Sequence, residues 1–247
     1  MRRLSLLCAV SFAVLAVGAG AQMQHAPDGG TREMIQSIDV PTKAGAPFRA
    51  QVVTSWKRRL EDGTETTIYN RRTIARDSTG RVFQERRIFR PDGNTRATMV
   101  NEMDYYDPSM KTTTVCHTQT RQCMVYHRNF AEVGDVAQLP ATQTLPNGVK
   151  ITRESLGTNR IEDLQVTGMR EIRTSERMGD AEPTVKEFWY SPRLGMNLVV
   201  KRFEPRGGAE NFNVEKIDQT EPDDSLFNLP RAYQVIDIPA PQTIAQH

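Results

Sequence analysis

Apolar residues in this chain recur at every second position far more often than at helical spacing. From Phe48 to Leu60, Phe48, Ala50, Val52 and Trp56 lie on one parity. Arg49, Gln51, Ser55 and Lys57 take the other, the pattern of a half-buried strand. Ile68 and Ile74 share a face in the next segment, and Ala97, Met99, Met103 and Tyr105 share one between Arg96 and Tyr106. Between these two, Arg81 to Arg90 alternates poorly, because Val82 and Phe83 fall on opposite faces and charges occupy both. It is nonetheless rich in β-formers and free of Gly and Pro. The turns are the clearest signals. Glu61-Asp62-Gly63-Thr64, Asp77-Ser78-Thr79-Gly80 and Pro91-Asp92-Gly93-Asn94 combine side chains that close local turns with Gly where positive φ is needed.

The pattern resumes over Met110–Cys116, Cys123–His127, Val149–Ser155, Leu164–Thr174, Thr184–Tyr190, Leu198–Phe203 and Asn211–Ile217. Helical spacing is confined to Thr31–Ile38, a turn or two within Ala131–Leu139, and one turn capped by Asp223 or Asp224. About ten or eleven strands are expected, mainly antiparallel, so the fold class is all-β with minor α. Asn129 to Gly148 is the longest irregular segment, and a loop of that length in a β domain is a lid, a binding loop or a covering flap.

The ends read differently. Arg2 and Arg3 precede an apolar run from Leu4 to Val17, and Ala19-Gly20-Ala21 supplies the small residues of a cleavage site. That run is short for a membrane span of about 20 residues. Residues 1–21 are read as a signal peptide cleaved near Ala21, giving a periplasmic or secreted chain. Residues 22–46 are read as a flexible segment, 47–238 as one β domain and 239–247 as a flexible tail. Without the leader's two Arg, 30 basic residues face 30 acidic ones. A neutral chain has no global attraction to nucleic acid or anionic membrane. The doublets Arg71-Arg72 and Arg86-Arg87 put one side chain on each face of a strand and fit a solvated, charge-mixed sheet.

Chemistry is sparse. Cys116 and Cys123 flank a six-residue polar turn and read as a disulfide across a hairpin; a metal site with His117 and His127 is the alternative, without the CxxC spacing of structural zinc. No nucleophile motif, phosphate loop or haem motif is present, so neither catalytic residue, metal nor cofactor is assigned. Trp56, Met99, Met103, Tyr105 and Trp189 form the one notable apolar set. They either line a hollow, where soft Met side chains suit a variable apolar ligand, or pack as core beneath a covering loop.

Three segments in order, Tyr69–Arg81, Phe188–Gly195 and Asp223–Pro230, with Leu156-Gly157-Thr158, Ile161, Val166 and Gly168 between them, resemble exported bacterial proteins of acidobacterial type and unknown function. That group is similar in layout to the periplasmic lipoprotein-carrier and RseB-like superfamily (LolA/LolB/RseB-like), over residues 47–236. The resemblance implies a strongly curved, half-open antiparallel barrel whose concave face is plugged by helices or a loop. It also implies binding of acyl chains between sheet and plug, or a role in envelope-stress signalling. This chain lacks the carriers' long amphipathic helices, and its strands are more charged. The functional expectation is a non-enzymatic envelope scaffold holding a lipid, acyl chain, lipoprotein or peptide on the concave face, gated by residues 129–148. An RseB-like module pairing its strand edges with an envelope protein is the alternative, and a hydrolase ranks below both.

Overall fold

Two-residue alternation divides each strand's side chains between two faces, and the structure, a computed structural model, fills both. It describes residues 38–59, 63–89, 98–130, 139–175, 182–205 and 208–239. The expected signal peptide, the segment through residue 37, the tail from residue 240 and the middle of the long loop (131–138) lie outside the described residues.

Thirteen strands occur among the described residues. The first six are β1 (Phe48–Arg59), β2 (Glu65–Arg76), β3 (Val82–Phe89), β4 (Thr98–Asp107), β5 (Thr112–His117) and β6 (Gln122–His127). Then come β7 (Thr142–Thr144), β8 (Val149–Ile161), β9 (Leu164–Ser175), β10 (Thr184–Ser191), β11 (Met196–Glu204), β12 (Gly208–Asp218) and β13 (Gln234–Ile238). All belong to one sheet in the order β13-β6-β5-β4-β3-β2-β1-β12-β11-β10-β9-β8-β7. β1 to β6 and β7 to β12 are thus two antiparallel meanders joined along β1 and β12. The sheet stays open, a curved half-barrel with β7 and β13 at its edges. The all-β expectation holds, with thirteen strands among the described residues where about ten or eleven were expected. β7 lies within the long loop and lacks alternation; β13 lies in the tail and pairs with β6 in parallel.

The register assigns the faces, because directly opposed residues share one. Phe48 opposes Arg76, Ala50 opposes Ile74, Val52 opposes Arg72, and Val52 also opposes Val214. The larger core grows on this first face and adds Phe188, Val200 and Phe212. Residues 38–46, expected to end a flexible segment, are packed here instead, with Ile38, Val40 and Ala46 buried in that core. Two buried guanidiniums hold them. Arg72 donates to the Ile38 carbonyl at 2.8 Å, while Arg76 donates to those of Ala46 and Pro41, each at 2.9 Å.

A second core sits on the opposite face, on β2 to β6. Ala75, Phe83, Tyr105, Cys116 and Cys123 lie beneath Phe227, which belongs to a single 3-10 turn, Asp224–Phe227, capped by the Asp223 carboxylate. The Cys116–Cys123 disulfide joins residues directly opposed on β5 and β6.

Candidate functional site

The sheet is not evenly laddered. β2 and β3 pair only at Ile74–Gln84, Ala75–Phe83 and Arg76–Val82, although both strands run on beyond that point. Where the next pair would form, the Thr73 N–H donates to the Glu85 carboxylate (Oε2, 2.8 Å) rather than to a main-chain carbonyl of β3. One side chain has entered the space between two strands. Arg87 fixes it, with Nη1 3.2 Å from the same oxygen, and Arg87 Nε donates to Thr98 Oγ1 at 3.0 Å. Thr98 Oγ1 in turn donates to Asn70 Oδ1 at 3.2 Å, so β4 is tied to β2 across the parted strands.

This parting opens a cleft of about 510 Å³ lined by Gln51, Tyr69, Arg71, Glu85, Arg87 and Thr98 among others. Its volume lies in the range of ligand pockets, and most of its lining residues carry hydrogen-bonding or charged groups, although their stems, the Tyr69 ring and Val53 leave much of the surface apolar. Tyr69 is exposed, and Gln51 contributes a buried Oε1 without a hydrogen-bond partner. The cleft is built on strands rather than loops, which fixes its geometry.

The first face carries ionic clusters on either side of its core. On β3 and β4, Arg86 Nε stands 3.2 Å from Asp104 Oδ2, and on β5 His117 Nδ1 stands 3.4 Å from Glu102 Oε2. Burial is the main cause that raises the Asp104 carboxyl to a pKa of about 6; the neighbouring Glu102 adds to it and Arg86 opposes it. Asp39, from the packed segment, is also raised by burial against the pull of Arg86. Further along, buried Glu171 is held between Arg153 (2.9 Å) and Arg173 (2.6 Å). Among the described residues no group of three or more His, Cys, Asp or Glu is arranged to hold a metal.

The structure disperses the apolar set named from the sequence. Trp56 opposes Ile68 on the first face, and Met99 opposes Ile88 there. Met103 and Tyr105 take the other face, over Cys116 and Phe83. The cause is a bulge: Arg86 opposes Glu102 but Arg87 opposes Val100, so Asn101 is an extra residue that reverses parity along β4. Met103 and Tyr105 therefore pack with the disulfide core. Trp189 lies against Gly168, so closely that a Cβ there would stand 2.7 Å from the indole. The five residues do not form one lining.

Sequence reasoning missed the cleft, having assigned Arg71 and Arg87 to a solvated surface. No sequence signal marks it, because the parting rests on one carboxylate, that of Glu85, turning between the strands.

No family model and no curated protein matches the chain. Solved structures do. A crystal structure of MucB aligns at 15% identity and a TM-score of 0.40, covering 79% of this chain and 61% of that one. A chain of the Pseudomonas aeruginosa MucA/MucB complex aligns at 15% identity and 0.39, covering 78% and 58%. The Mycobacterium tuberculosis lipoprotein LppX aligns at 11% identity and 0.32, covering 73% and 91%. The chain spans about three fifths of the length of the first two. These are likenesses of sheet layout, and no residue's role is carried over from them.

Proposed function

We propose that the protein is a non-enzymatic binding scaffold of the cell envelope whose occupant is an extended polypeptide segment of another envelope protein, in preference to a lipid or acyl chain. The observation that carries this reading is that the cleft is bordered by two strands that have stopped pairing and is lined by Arg71, Glu85 and Arg87. An acyl chain needs a continuous apolar lining. The apolar stretch of the first face is already covered by residues 38–46, and the Trp56, Met99, Met103, Tyr105 and Trp189 set is divided between faces. The Cys116–Cys123 disulfide suits an oxidising compartment such as the periplasm or the exterior. No helix among the described residues is long and apolar enough to cross a membrane.

A photo-crosslinking side chain substituted at exposed Tyr69, in protein expressed in its exporting host, tests the reading. The expected outcome is a reproducible protein adduct. Lipid extracted in stoichiometric amount from the purified protein, with no protein adduct, would instead establish the acyl-chain carrier.

A further inference from the structure

We infer that the cleft is a strand-addition site: an incoming acidic peptide pairs with the edge of β2 at Tyr69 and Arg71, displacing the Glu85 carboxylate and parting the Thr98–Asn70 hydrogen bond that crosses the cleft. This deepens the scaffold reading and rests on it.

The argument begins at Thr73. In an antiparallel ladder the main-chain groups of alternate residues point to the same side. The Thr73 N–H points toward β3, because Glu85 on β3 accepts its hydrogen bond. The N–H and C=O of Arg71 and Tyr69 therefore point the same way, into the cleft, where β3 no longer supplies partners. A row of main-chain donors and acceptors without a neighbouring strand is a template for an added one. In an unbroken sheet the Glu85 carbonyl would receive Thr73. Its carboxylate does so instead, which keeps one donor satisfied and holds the strands apart.

The charge of the occupant follows from the walls. Arg71 and Thr73 share a face of β2, and Arg87 lies across the cleft on β3 with Glu85 as its partner. Removing the Glu85 carboxylate from the gap leaves two guanidiniums beside the incoming strand. Acidic side chains at alternate positions of the peptide would meet them, replacing the internal pair by intermolecular ones.

The test uses the protein as exported by its host and a short, end-blocked peptide alternating Thr and Glu, followed by amide NMR and calorimetry. The expected result is saturable binding that shifts the Tyr69, Arg71 and Thr73 amides, with loss of binding when alternate peptide amides are N-methylated. Arg71→Glu should weaken binding roughly three- to tenfold. Glu85→Ala should strengthen it by a similar factor, because the internal competitor is gone. Glu85→Gln, which keeps a side-chain carbonyl for Thr73, should fall between Glu85→Ala and the parent. Unaltered affinity in Glu85→Ala and Glu85→Gln, both verified as folded, would overturn the gate. Inorganic phosphate shifting the same amides while the peptide does not would make the cleft an anion site and overturn strand addition. Shifts confined to β7 or β13 would overturn the cleft assignment and leave the scaffold reading standing. No binding anywhere would overturn strand addition, with the scaffold reading then decided by the adducts formed from residue 69.

Discussion

Arg76 shows how a single side chain sets the course of a whole segment. It is fully buried, its guanidinium lies 5.1 Å from the Phe48 ring centre, and two of its nitrogens serve carbonyls of residues 41 and 46. Burial lowers its pKa to about 10, so it stays charged at neutral pH. Arg76→Ala leaves those carbonyls unpaired beneath a core and should cost about 3 kcal/mol, read from the denaturant midpoint. Arg76→Lys should recover little, since a point charge cannot reproduce the fork. Arg72 was read as part of a solvated sheet surface and is buried instead, as is Arg76; that burial was not legible, because it depends on residues 38–46, whose sequence has no strand or helix periodicity. Asp104 provides a pH test. Its folded pKa, about 6, lies above the ordinary value of 3.8, so the folded chain binds more protons than the unfolded one between those limits. Stability should therefore fall as pH rises from about 4 to about 6, by up to roughly 3 kcal/mol from this group. Asp104→Asn should flatten that fall in a series of denaturant midpoints. A slope unchanged by the substitution would assign the titration to other groups.

Elements carry the departures from simple alternation, and each has a local cause. The hairpin turn after β2 was readable because Asp77 accepts from the Thr79 and Arg81 main-chain amides at 3.0 and 2.8 Å and Gly80 takes φ of +92°. The bulge at Asn101 was not readable. One extra residue changes no composition, yet it sends Met99 and Met103 to opposite faces. The divergence of β2 from β3 was equally hidden, since it depends on one carboxylate turning into the sheet. Close packing marks the other meander. Gly168 on β9 opposes Trp189 on β10, and only the absence of a Cβ lets the indole lie over the backbone. Gly168→Ala should force the ring aside at a cost of about 1–3 kcal/mol. Intrinsic fluorescence reads the displacement directly, and an unchanged emission spectrum with full stability would contradict the packing described.

At the scale of the whole molecule, the topology makes the two meanders unequal in their dependence on the chain's end. β7 to β12 are consecutive neighbours, with their side chains in the larger core. The β1 to β6 meander needs residues 219–239, which cross its second face and then extend as β13 along the otherwise open edge of β6. This strap is tied at the β2–β3 turn. Glu221 accepts from the Ser78 main-chain amide at 3.0 Å, Arg81 pairs with both Asp77 and Asp224, and the Arg81 guanidinium lies 5.0 Å from the Phe227 ring centre. Removing the strap uncovers Ala75, Phe83, Tyr105 and the disulfide, and it exposes the β6 edge to other chains. The disulfide itself, closing a short loop, contributes only about 2 kcal/mol against unfolding and does not replace the lost cover. A chain ending at Thr220 should bind a hydrophobic dye and self-associate. Its amide exchange should rise in β3 to β6 while β8 to β11 keep their protection. Equal loss of protection in both halves would mean that the seam between β1 and β12 transmits the damage, and that the sheet unfolds as one cooperative unit.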